Sequence, residues 1–138
     1  MTNDLLTANE TLQQFRHLTT PNSQLRTTPE MRLLLSLSSR NDQPTPSTFA
    51  QEWHVSRAAV TKAIAGLVAD DLVEKVVNPK DKRSFAITLT PTGQVEASAL
   101  KTLYLAQVTT LQQQMGQGQF VALITLLEAA NQALTAAE

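Results

Sequence analysis

A mainly α fold with one small β-hairpin, an α+β arrangement, is what this sequence predicts, and three observations predict it. Apolar residues recur at three- and four-residue spacing along most of the chain. Three Thr-Pro pairs, Thr28-Pro29, Thr45-Pro46 and Thr90-Pro91, each stand directly before such a stretch. After Asp70-Asp71 the period falls to two, and two short apolar runs flank the charged segment NPKDKR.

The elements follow in order. NDLLTANETLQQFRHL places Leu5, Ala8, Leu12, Phe15 and Leu18 three or four apart, which reads as an amphipathic helix ended by TTPNS. Each Thr-Pro pair marks a further helix start. A threonine hydroxyl caps free N–H groups, and proline suits the first helical position because its missing N–H would have had no partner there. The pairs open PEMRLLLSLS, the short PSTFAQEW, and the long PTGQVEASALKTLYLAQVTTLQQQM. From Ser56, SRAAVTKAIAGLVA forms a helix with Val60, Ala63, Ile64 and Leu67 on one face and Ala58, Thr61, Lys62, Ala65 and Ala69 on the other. LVEKVV and SFAITLT are strands, and GQGQ separates the long helix from a last one, FVALITLLEAANQAL.

Composition narrows the function. At 138 residues and 42% hydrophobic, the chain suffices for a single domain with a real core, 1–138. Without cysteine, thiolate metal sites, cysteine nucleophiles and disulfides are excluded. No run of 18 apolar residues and no signal-peptide start is present, so a soluble, cytoplasmic protein without membrane partners is expected. The net charge is only -1, yet from Ser56 to Arg83 six basic residues stand against four acidic ones. Such a local excess suits a docking face for one short piece of duplex. No nucleophile with its base, paired carboxylates or phosphate loop points to an enzyme, and no catalytic residue, metal or cofactor is expected.

Two short helices joined by the tight turn WHVS, the second led by a serine, and then a hairpin make the winged helix-turn-helix layout. His54 falls where the backbone turns left-handed, a conformation histidine enters more readily than most residues. The other histidine, His17, is far away in sequence, and zinc takes three or four ligands.

Thr45 to Gly93 resembles the core of the MarR family of transcription regulators. The resemblance rests on VSRAAVTKAI at the recognition helix, DLVEKV at the first wing strand, DKR at the family's Asp-x-Arg wing tip, and LTPTG at the entry to the long dimerisation helix. Elsewhere it is one of element order and length. His54 and Asp71 stand where the family commonly has glycine, and Lys62 where many members have arginine, which replaces a bidentate fork by a point charge.

The resemblance implies a winged helix-turn-helix DNA-binding lobe over 28–93, flanked by dimerisation helices over 1–20 and 94–138. It implies a homodimer that binds double-stranded DNA sequence-specifically at a palindromic operator, as a repressor. The two recognition helices would then lie about one DNA turn, roughly 34 Å, apart. A small aromatic or phenolic effector is implied as well, with Phe15, Leu18, Leu34, Leu37 and Leu103 as lining and Arg16, His17 or Arg32 for an anion. The rival reading is a winged helix that uses the same surfaces for protein contacts without DNA.

Chemistry supports the implied roles residue by residue. Ala58, Thr61, Lys62 and Ala65 make a face small and polar enough for the major groove. Arg57 can hold guanine O6 and N7 with two bonds, and Thr61 can meet a thymine methyl or a base edge. Thr45, Ser47 and Ser56 stand at helix starts, whose free N–H groups suit phosphates, so they position the protein without reading sequence. Arg83 at the hairpin tip suits an A·T-rich minor groove. Asp81 would pair with Arg83 and orient it, while Lys80 and Lys82 meet flanking phosphates.

Overall fold

The computed structural model describes residues 2–21 and 25–137, with the side chains of Thr2, Asn3 and Lys82 outside that description. Its elements are α1 (Thr2–Thr19), α2 (Thr28–Ser38), α3 (Pro46–Trp53), α4 (Arg57–Ala69), β1 (Val73–Asn78), β2 (Asp81–Leu89), α5 (Pro91–Met115) and α6 (Gln117–Ala136). This is the expected α+β class, six helices around one antiparallel hairpin in a winged-helix arrangement. The TTPNS breaker falls partly on Asn22 and Ser23, which lie outside the described residues.

Helix starts follow the local code. Thr45 caps α3 through a reciprocal pair with Thr48, and the hydroxyls of Ser56 and Thr90 accept from Ala59 N and Gly93 N. At α2 the cap is Thr27, one residue before the Thr-Pro pair, because Thr28 is already helical and Pro29 occupies the first turn. Both non-glycine turns are left-handed, with φ of 54° at His54 and 59° at Asp71. After α4 the Leu72 N–H returns to Leu67 O at 2.9 Å and Asp71 N–H to Val68 O at 3.0 Å, the pairing that ends a helix through one left-handed residue.

Two boundaries differ from expectation. Gly116 alone, at φ 84°, breaks α5 from α6, and Gln117 to Gln119 already belong to the last helix. The hairpin turn is Pro79-Lys80, and β2 begins at Asp81. Pairing is one-for-one from Val73↔Leu89 to Val77↔Phe85, after which Asn78 pairs with Asp81. Lys82, Arg83 and Ser84 therefore form a bulge opposite a single step of β1, a device that re-aims side chains.

The core lies in the winged-helix lobe. Leu33, Leu34 and Leu37 of α2 meet Phe49 of α3, Val60, Ala63, Ile64 and Leu67 of α4, Leu72, Val73 and Ile87 of the hairpin, and Ala97 of α5. Phe49 is fully buried, and truncating such a ring costs about 3 to 5 kcal/mol. A backbone bond from Ile87 N to Pro44 O at 3.0 Å fastens the wing to the chain just before α3. Among the described residues, α1 and α6 contribute nothing to the buried core and leave Leu5, Leu6, Leu12, Leu126 and Leu134 exposed.

Candidate nucleic-acid interface

Helix α4 is split by its own periodicity. Val60, Ala63, Ile64 and Leu67 are buried, which leaves Ala58, Thr61, Lys62, Ala65 and Ala69 on the solvent face as expected. Arg57, the first residue of the helix, is exposed at its N-terminal end. Thr61 donates its hydroxyl to Arg57 O at 2.9 Å, so a base would meet it through a lone pair or its methyl group. A cap satisfies only part of the four free N–H groups at a helix start, so Thr45 and Ser56 leave donors for a phosphate. Ser47, in the first turn of α3, is half-buried.

The wing tip is shaped by side chains bonding to backbone. Asn78 Oδ1 accepts from Lys80 N at 3.0 Å, and Asp81 Oδ1 accepts from Arg83 N at 3.0 Å. Asp81 thus holds the main chain of Arg83. Its carboxylate lies 3.9 Å from the guanidinium Nε, too far for a hydrogen bond, and the Arg83 side chain is 98% exposed. Lys80 is exposed, and the side chain of Lys82 lies outside the described residues.

Arginines elsewhere have a different fate. Arg40 binds Asp42 through Nε and Nη2 at 2.8 and 2.9 Å and Glu52 through Nη1 at 2.6 Å, with its guanidinium over the Phe49 ring. Those hydrogen bonds, Asp42 first, raise the Arg40 pKa and lower that of Asp42. Arg26 is ion-paired with Asp70 and with Glu96 at 2.9 Å, and the Glu96 bond is the largest cause of its raised pKa. Arg32 stacks 4.4 Å from the Trp53 ring centroid, and partial burial lowers its pKa. Among the described residues, Arg57, Lys62 and Lys80 make no ion pair. Arg26 and Arg40 thus brace the fold through ion pairs, while Arg57 and Lys62 on α4 and Lys80 on the wing are exposed. Sequence reasoning missed Arg26 and Arg40, whose carboxylate partners lie up to 70 residues away.

The suggested effector lining does not converge. Leu34 is core, and Leu37 borders a hollow with β2 and α5. Phe15 and Leu18 instead face Ala106, Gln107 and Leu111 across a cleft of about 400 Å³ between α1 and α5. Leu103 is exposed, and Arg32 belongs to the Trp53 stack. Among the described residues no three His, Asp or Glu side chains converge as a metal site, and no helix is long and apolar enough to cross a membrane.

A helix-turn-helix whose second helix bares a small polar face, followed by a fastened hairpin, defines the winged helix-turn-helix class. Residues 26–84 match the model of the MarR family. The whole chain is similar in fold to FabT of Streptococcus pneumoniae, solved in complex with DNA, at 21% identity over 99% of this chain and 97% of that one, TM-score 0.72. It is also similar to the PcaV transcriptional regulator of Streptomyces coelicolor, solved with its natural ligand, at 19% identity over 92% and 91% of the two chains, TM-score 0.77. The adhesin competence repressor of Streptococcus pyogenes is similar at 21% identity over 97% of each chain, TM-score 0.69. No curated protein matches the sequence.

Proposed function

We propose that this chain is a sequence-specific, double-stranded-DNA-binding transcription regulator that acts in the cytoplasm as a homodimeric repressor on a palindromic operator. The observation that carries the reading is the exposed face of α4, where Arg57 and Lys62 stand without an ion pair among the described residues beside the small side chains of Ala58, Thr61 and Ala65, next to a wing that presents Lys80 and Arg83. The solved DNA complex of FabT, a protein of the same fold, favours DNA as the partner. Exposed leucines on α1 and α6, helices outside the lobe's core, favour a second copy of the chain as their cover. Release by a small aromatic effector is part of the reading. The α1–α5 cleft supports it, because the buried Gln107 Oε1 there has no hydrogen-bond partner among the described residues.

The test compares the full chain with one lacking α1 and everything after Gly116, on a palindrome and on one half-site. Titration over a salt series and analytical ultracentrifugation are the readouts. Affinity should fall with salt as counterions are released. The full chain should be a dimer and hold the palindrome about 10² to 10⁴-fold more tightly than the truncated chain does. Equal binding by the truncated monomer would remove the dimer, and the absence of any shift would remove DNA.

A further inference from the structure

The C-terminal end of α4 meets the first turns of α5 at a joint with two parts. One joins Thr90 to the turn after α4: its Oγ1 donates to Asp71 O at 2.6 Å and its backbone N to Leu72 O at 3.0 Å. The other is an ion cluster centred on Arg26, the residue before the cap of α2, whose side chain is 13% exposed. Its Nε binds Glu96 Oε1 of α5 at 2.9 Å, while Nη1 is paired with Asp70 Oδ2 at the C-cap of α4 and lies 3.5 Å from Glu30 Oε2 of α2. Glu30 is itself fixed, since Thr27 Oγ1 donates to it at 3.1 Å and a Cβ on Gly66 of α4 would stand 3.2 Å from its Cδ.

We propose that Arg26 is a positioning residue for DNA recognition: it sets the angle at which the packed unit of α2, α3 and α4 sits on α5, and through it the half-site spacing that the two protomers accept. The inference rests on the dimeric DNA-binding reading above. Leverage is the first reason. The 13 residues of α4 span about 20 Å and its buried face is locked to α2 and α3, so a rotation of that whole unit by about 10° about Asp70 moves the Arg57 end by about 3.4 Å, the rise of one base pair. Charge is the second. One guanidinium faces three carboxylates, and without it Asp70 on α4 and Glu96 on α5 would repel each other across the joint. Direction is the third, because a planar fork can send separate N–H arms to two elements where an ammonium offers one point charge. The cluster is no substitute for the core: Asp70 and Glu96 are 53% and 36% exposed, and ion pairs of that kind add little stability.

The experiment uses the full chain, Arg26→Gln, and Glu96→Gln as a second variant. Each is titrated against one half-site and against palindromes with the spacer changed by one or two base pairs. Because the chain has no cysteine, Ala59→Cys on α4 and Thr109→Cys on α5 give a dye pair for intrachain distance, with labelled chains diluted into unlabelled ones. The parent should lose about tenfold or more per base pair of altered spacing, a coupling of ordinary size. Both variants should keep half-site affinity within about threefold, lose most of that spacing preference, and show a broadened dye distance. An equal loss at every spacing with an unchanged distance distribution overturns the inference and leaves the regulator reading standing. A parent chain that binds no spacing at all overturns the regulator reading instead, and the dye distance then decides separately whether Arg26 holds the joint: an unchanged width in both variants overturns it.

Discussion

Gly93, in the first turn of α5, stands so close to Leu72 that a Cβ built on it would lie 1.9 Å from the Leu72 carbonyl oxygen. The entry to the wing and the start of the long helix therefore touch backbone to backbone. Gly93→Ala should force them apart at about 3 kcal/mol, the upper range for overpacking. Urea denaturation checks this as a lower midpoint with an unchanged slope. An unchanged midpoint would show that the two elements separate at no cost.

Arg57→Ala should relax preference at one base pair of each half-site, at about 1 to 3 kcal/mol if the contact is bidentate. Titration against operators varied one position at a time gives the result. Equal loss on all sequences would make Arg57 a phosphate contact.

Local signals were legible and distant ones were not. Thr45, Ser56 and Thr90 act on N–H groups three residues on, so their capping could be read from the chain alone. The α4 face was legible because one helical period separates core from solvent. Arg26 was not, since Asp70 and Glu96 lie 44 and 70 residues away and only the fold brings them together. The wing bulge escaped notice because SFAITLT alternates cleanly and nothing in it records that β1 takes one step while Lys82 to Ser84 pass. Thr27 was overlooked as a cap because two further threonine-like starts shared the Thr-Pro form and suggested Thr28.

Arg83→Ala should weaken binding most on sites with A·T-rich flanks, where the minor groove is narrow. Asp81→Ala should mimic it in part although it removes a negative charge, because the Asp81 carboxylate anchors the Arg83 main chain. Paired titrations on A·T- and G·C-flanked operators decide the point. Tighter binding by Asp81→Ala would remove its orienting role.

Acid should loosen the bend between α2 and α3. Hydrogen bonding to Arg40 holds the Asp42 carboxyl below its ordinary range in the folded chain. A carboxyl depressed on folding contributes stability above its unfolded pKa, about 3.9, and loses it as pH falls through the lower folded value. Asp42→Asn should therefore flatten the acid limb of a stability-against-pH curve and leave its shape above pH about 5 unaltered. An unchanged acid limb would show that the pair carries no proton linkage.

Sequence-specific recognition by a twofold dimer is the central claim, and selection of bound sequences from a random duplex pool tests it most directly. The full chain should enrich a palindrome whose half-site centres lie about 10 base pairs, one helical turn, apart. Enrichment of no palindrome, with binding equal across the pool, would contradict it.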